Sequence, residues 1–261
     1  MIYPDELKLS ENLIFDTHAH YDDQRFDGLR DDLLISLNKN GVDKIVTCAV
    51  DGSSAKKSLA LADKYDFVYS AVGIHPEELE DTTEIDEIRQ FASHKKCVAI
   101  GEIGLDYYYT SDNKDLQIEM FQQQIILAKE LDMPVIVHDR EAHGDTLKIL
   151  MQYKPKGVLH CFSGSAEMAK EIIKIGMYIG VGGTVTFKNS KKLPEVIKAI
   201  PIDRLLLETD CPYLCPEPYR GKLCHSGFIT LTATKVADIL GKPRDEILKI
   251  TNMNAKKLFS V

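Results

Sequence analysis

The stretch LIFDTHAH, residues 13–20, runs a short apolar segment into two histidines spaced two apart. Side chains two apart along a strand share a side. His18 and His20 can therefore face one ion together, with Asp16 in phase as a residue that orients an imidazole. The same arrangement recurs along the chain. Glu102 follows CVAIG (97–101), His138 ends PVIVH (134–138), His160 ends GVLH (157–160) and Asp210 ends RLLLETD (204–210). These ligand-type side chains are remote in sequence, yet each stands where a strand-like run gives way to a loop. They imply a barrel whose strand ends converge on one catalytic metal centre.

Apolar runs at 13–18, 44–50, 67–73, 97–102, 134–138, 157–160, 177–182 and 204–209 read as strands, with helical segments between them. Residues 29–39 put Leu29, Leu33, Leu34 and Leu37 on one stripe, stopped by Gly41. Helices are also predicted over 114–131, 165–175 (opened by Ser165), 229–240 and 243–258. Buried strands alternating with helices give a parallel α/β protein, and the number of strands favours a (β/α)8 TIM-type barrel forming a single domain over 1–261. A doubly wound open sheet is the alternative, but it would gather its ligands at one crevice.

A composition of 44% hydrophobic and 28% charged residues is that of a globular chain. The net charge of −8 supplies no basic footprint for avid nucleic-acid binding. It leaves room for an enzyme that grips a few phosphates beside bound cations. No apolar run approaches the roughly 20 residues of a spanning helix. The start MIYPDELKLS lacks the basic-then-apolar order of a leader, so a cytoplasmic protein without membrane contact is expected. Six cysteines then read as reduced thiols. Cys211, Cys215, Cys224 and His225 could make a structural zinc site, but their spacing fits no zinc-ribbon pattern. Ordinary loop packing is the expectation.

The segments DTHAHYDDQRF, GIHPEE, GEIGLDYY, PVIVHDRE, HCFSG, ETDCPYL and YRGK, in that order, closely resemble the TatD family of metal-dependent deoxyribonucleases, which belongs to the amidohydrolase-like barrels. The resemblance runs from about residue 13 to the C-terminus. It implies one metal held by His18, His20, Glu102 and Asp210 and a second held by Glu102, His138 and His160. It also implies hydrolysis of phosphodiester bonds in DNA, single-stranded or at ends, often from a 3′ terminus. Glu102 and Asp210 would be the catalytic carboxylates, with Asp210 orienting a water and shuttling its proton.

The same resemblance places His75 near substrate and makes Arg140 and Arg220 candidates for phosphate, with Arg25 a weaker one. Tyr107, in the run Tyr107–Tyr109, is a candidate for stacking on a base. Lys188, Lys191 and Lys192 could make a small basic rim for a nucleic-acid backbone, but a solvated helix start is the expectation. Two divalent ions are expected. The histidines favour zinc, manganese or iron, whereas the resemblance implies magnesium. One departure is that YRGK runs into LCHSG, so Cys224 and His225 stand where many relatives have an Asn-x-Pro stretch. The rival reading keeps the barrel and metals but hydrolyses small esters, lactones, amides or phosphotriesters. Such relatives often bridge their metals with a carboxylated lysine, where this chain has Glu102. A metal-binding scaffold without catalysis is a further alternative, and Asp210 beside the other ligands speaks against it.

Overall fold

A computed structural model describes Leu7 and residues 13–80, 83–109 and 112–261. Strands β1 (Ile14–Ala19), β2 (Val42–Cys48), β3 (Val68–Val72), β4 (Cys97–Asp106), β5 (Val135–Arg140), β6 (Gly157–Leu159), β7 (Tyr178–Val181) and β8 (Leu205–Leu207) form one sheet in sequence order. Every neighbouring pair is parallel. Helices α1 (Arg30–Lys39), α2 (Gly52–Lys64), α3 (Ile85–Ala92), α4 (Lys114–Glu130), α5 (His143–Tyr153), α6 (Ala166–Lys174), α7 (Lys192–Ala199) and α8 (Ile229–Leu240) follow the strands in turn, and α9 (Arg244–Phe259) ends the chain. The expected (β/α)8 barrel is what forms.

Local chemistry sets the helix ends. Asp51 and Ser54 make a reciprocal capping box at the start of α2. The Ser165 hydroxyl accepts from the Met168 N–H to open α6. Gly241, at φ 65°, takes the left-handed position that closes α8. Two apolar clusters result. The larger lies where the helices pack on the strands. The smaller includes Phe15, Val46, Ala99, Ile136, Val158 and Leu206, one from each of six strands, and is joined by Ala255 and Phe259 of α9. The Phe15 and Phe259 rings lie 5.9 Å apart, so α9 seals the end of the barrel opposite the ligands. Among the described residues no helix is long and apolar enough to cross a membrane.

The first and last strands meet in a seam of named bonds. Ala19 bridges Cys211 in parallel, the Asp210 N–H donates to the His18 carbonyl at 2.9 Å and the His20 N–H to the Cys211 carbonyl at 2.7 Å. Thr17 Oγ1 donates to the Leu207 carbonyl at 3.1 Å. Asp16 Oδ1 accepts the Thr209 N–H at 3.0 Å, and its Oδ2 accepts the Thr209 hydroxyl at 2.6 Å. Asp16 also accepts the His18 backbone N–H. This corrects the expectation that Asp16 steers an imidazole: its partners are the Thr209 N–H and hydroxyl across the seam and the backbone N–H, not the ring, of His18.

Removing the Asp16 side chain strips the acceptor from three buried donors. Asp16→Ala should cost about 2–4 kcal/mol in urea unfolding of the metal-free protein. A loss below about 0.5 kcal/mol would show that the seam does not need this carboxylate.

Candidate metal centre

Two strands depart from regular pleating where His18 and Glu102 stand. Between Asp16↔Ile45 and Ala19↔Thr47, β1 advances one residue more than β2. Between Ile100↔Val135 and Ile103↔Val137, β4 advances one more than β5. Phe15 and Ala99 face the barrel interior. Strict alternation from them would send Thr17 and Gly101 inward and turn His18 and Glu102 out. The extra residue in each strand reverses the phase and aims both side chains into the mouth. Asp16 falls on the other face for the same reason. The ligands are not all strand-terminal, as the sequence suggested: β4 runs on to Asp106 and β5 to Arg140, while His20, His160 and Asp210 lie just past their strands.

The six expected ligands converge. His18 Nε2 lies 3.1 Å from His20 Nε2, 3.3 Å from Glu102 Oε2 and 3.5 Å from Asp210 Oδ1. His20 Nε2 is 3.6 Å from Glu102 Oε2 and 3.3 Å from Asp210 Oδ1. Ligands about 2.1 Å from one ion at tetrahedral angles lie about 3.4 Å apart, so these separations suit a shared cation. The other oxygen of Glu102 faces a second group. Oε1 is 3.0 Å from His138 Nδ1, 2.8 Å from His160 Nε2 and 3.5 Å from His75 Nε2, and His138 and His160 are 3.4 Å apart.

The outer nitrogens decide which imidazoles can be ligands. His20 Nδ1 lies 2.9 Å from the Cys48 carbonyl, a pure acceptor, so Nδ1 carries the proton and Nε2 turns a lone pair inward. His138 Nε2 lies 3.0 Å from Asp106 Oδ2, leaving Nδ1 as its inward lone pair. Although burial opposes ionisation of Asp106, the His138 hydrogen bond and the backbone of Tyr109 and Tyr108 hold it down at about 2. His160 Nδ1 faces the buried Glu208 carboxylate at 3.7 Å, beyond hydrogen-bond reach, and Glu208 Oε1 accepts the Cys161 N–H. His75 is the exception. Its Nδ1 accepts the Glu77 N–H, so its proton sits on Nε2, aimed into the site as a donor.

Without an ion, charge within the cluster is settled by protons. Burial disfavours ionised Glu102, but the His18, His160 and His75 imidazoles outweigh it and hold Glu102 well below the usual carboxylate range. Burial also disfavours the His20 and His138 imidazoliums. Hydrogen bonds to Asp210 and Asp106, together with the Glu102 charge, overcome it and raise both to about 9. His18 goes the other way, lowered by its burial and by the neighbouring His160.

The remaining candidates scatter around the mouth. Arg140 stacks on Tyr108 and Tyr109, its guanidinium carbon 4.2 and 4.5 Å from their ring centres. Tyr107 is turned aside, its hydroxyl donating to Asp145 of α5 at 2.9 Å; the exposed rings are Tyr108 and Tyr109, at 59% and 60%. Arg220 lies over the Phe187 ring and Arg25 over Tyr213. Lys192 opens α7 after Lys191, as a helix start. Cys224 and His225 are buried, and Ser226 beyond them hydrogen-bonds the Tyr21 hydroxyl. Cys211 and Cys215 are also buried and free. Among the described residues no cysteine joins a group able to hold a metal. Sequence reading missed Asp106, Glu208 and Tyr213. Asp106 lies four residues past Glu102 in the same strand, and Glu208 two before Asp210.

A family described as TatD related DNase matches residues 15–260. The uncharacterized metal-dependent hydrolase YabD of Bacillus subtilis is 42% identical over 254 residues, covering 95% of this chain and 100% of that protein. The uncharacterized metal-dependent hydrolase YcfH of Escherichia coli is 36% identical, with 95% and 96% covered. The crystal structure of YjjV, a TatD homolog from Escherichia coli, superposes with a TM-score of 0.90 at 32% identity, covering 96% of this chain and 99% of that one.

A ligand imidazole must shed its proton before it can bind a cation. With His20 and His138 raised to about 9, zinc or manganese affinity should rise from pH 6.5 to 9 and then level off. Calorimetry in buffers of differing ionisation enthalpy should show protons released at pH 7 and few at pH 10. An affinity flat across pH 6.5–9 would contradict this assignment of charge.

Proposed function

The chain belongs to the family of TatD-related DNases, and on that footing we propose that it is a metal-dependent hydrolase of phosphodiester bonds in DNA, acting from 3′ ends of single strands. The observation that carries the reading is the division of donors by Glu102, one oxygen toward His18 and His20 and the other toward His138 and His160. Two divalent cations, magnesium, manganese or zinc, held by His18, His20, Glu102 and Asp210 and by Glu102, His138 and His160, would lower the pKa of water and offset charge on phosphoryl oxygens.

The chain's own groups do the rest. Asp210 is the most exposed of the six proposed ligands, its side chain 19% accessible, which supports a role in orienting a water and taking its proton. Burial opposes its ionisation, but the His20 hydrogen bond and the His18 charge keep Asp210 below the usual carboxylate range, in the form that accepts a proton. His75 offers its Nε2–H to a phosphate oxygen. Arg140 has no ion-pair partner among the described residues and offers a charged fork to the next phosphate. Arg220 is a further phosphate candidate from its exposed loop. For an amide- or lactone-cleaving relative a lysine would be expected at the bridging position. Glu102 there, with Arg140 beside the centre, favours the phosphodiester.

With metals supplied singly after chelation, the purified protein should shorten 3′-labelled single-stranded DNA. Glu102→Ala and Asp210→Ala should each lower the rate at least about 100-fold. Cleavage of small esters with no shortening of DNA under any metal would move the assignment to the small-molecule hydrolases.

A further inference from the structure

Two arginine–tyrosine pairs flank the metal centre on opposite sides of the barrel, and each is tied to a ligand. Beside β4 and β5, Asp106 gives one carboxylate oxygen to the ligand His138 and the other to the backbone N–H groups of Tyr108 and Tyr109, at 2.9 and 3.1 Å. The two rings meet edge to face at 4.7 Å, and Arg140 covers them. Beside β8 and β1, the Tyr213 N–H donates to the carbonyl of the ligand Asp210 at 3.0 Å. The Tyr213 ring stands edge-on to the ligand His20 at 6.3 Å. Its hydroxyl donates to Asp23 at 3.0 Å, which fixes the ring, and Arg25 lies 4.3 Å above its face. Tyr213 is 41% exposed. Strands β8/β1 and β4/β5 lie half a barrel apart in an eight-membered ring.

Aromatic rings held at fixed distance from a phosphate-cleaving centre are what stacks an unpaired base, because every base offers a π-face whatever its sequence. In the free protein those faces are covered by arginine, itself a planar group that stacks. The two sides differ in charge. Arg25 is paired with Asp23 at 3.9 Å, whereas Arg140 is left for phosphate. Tyr213 therefore serves as an aromatic wall, and the Arg140 side as a wall with a phosphate grip.

We propose that Tyr213 with Arg25, and Tyr108 and Tyr109 with Arg140, are base-stacking platforms that grip one unpaired base on each side of the bond being cut. The proposal rests on the phosphodiesterase reading and deepens it. The substrate needs two neighbouring unpaired bases, not a 3′ phosphodiester alone.

The test uses the full-length manganese-loaded protein and three single-stranded oligonucleotides: intact, abasic at the terminal nucleotide, and abasic at the one before it. The intact protein should lose about tenfold or more in kcat/KM for each abasic substrate. Tyr213→Leu should abolish the penalty at one position, and the double variant Tyr108→Leu, Tyr109→Leu the penalty at the other. Tyr213→Phe keeps the ring without the Asp23 bond and should retain it, which separates stacking from misfolding. Equal cleavage of all three substrates by the intact protein, or both penalties surviving in the leucine variants, would overturn the platforms while leaving the nuclease in place. Failure to cut even the intact strand would remove the nuclease reading and the platforms with it.

Discussion

One buried carboxylate organises this molecule. Glu102 is almost wholly removed from solvent, and an isolated charge there would cost several kcal/mol. It survives because five imidazoles, from His18, His20, His75, His138 and His160, come within 3.6 Å of its two oxygens. Those imidazoles arrive from β1, β5 and the loops after β1, β3 and β6, so the charge can be satisfied only if the barrel has closed. The same geometry that compensates the charge presents lone pairs at metal-ligand spacing.

The barrel meets this demand by local departures from regularity. The extra residues in β1 and β4 turn His18 and Glu102 inward. Asp210, three residues past the end of β8, takes a left-handed backbone, φ 62°, as does Cys161, φ 41°, beside His160. The Asp16–Thr209 clasp then holds the β8–β1 seam against which Asp210 and His18 are set. Regular strands build the wall, and the irregular residues at its rim aim the chemistry.

Much of this was legible from the chain alone. The eight apolar runs located the strands to within a few residues, except that β4 ran on four residues past its expected end. The convergence of the six side chains could be read because a histidine or carboxylate buried at the end of an apolar run is costly unless it finds partners. What could not be read depended on register. Strand alternation from Asp16 to His18 put both on one face, and a bulge that no local residue announces separated them. Asp106 was hidden because β4 was expected to end at Glu102. Tyr107 was favoured over its neighbours, although its hydroxyl finds Asp145 only once α5 has packed. Tyr213 carried no motif of its own, and only the closing of β8 on β1 brings it beside His20.

Whether Glu102 is shared between two cation sites is read most directly from an anomalous difference map of crystals soaked with manganese. Two peaks should appear, one on each side of the Glu102 carboxylate, about 3.5–4 Å apart. The first should be bound by His18, His20 and Asp210 and the second by His138 and His160. A single peak at full occupancy, or a second peak bound through His75 with His160 left free, would contradict that sharing.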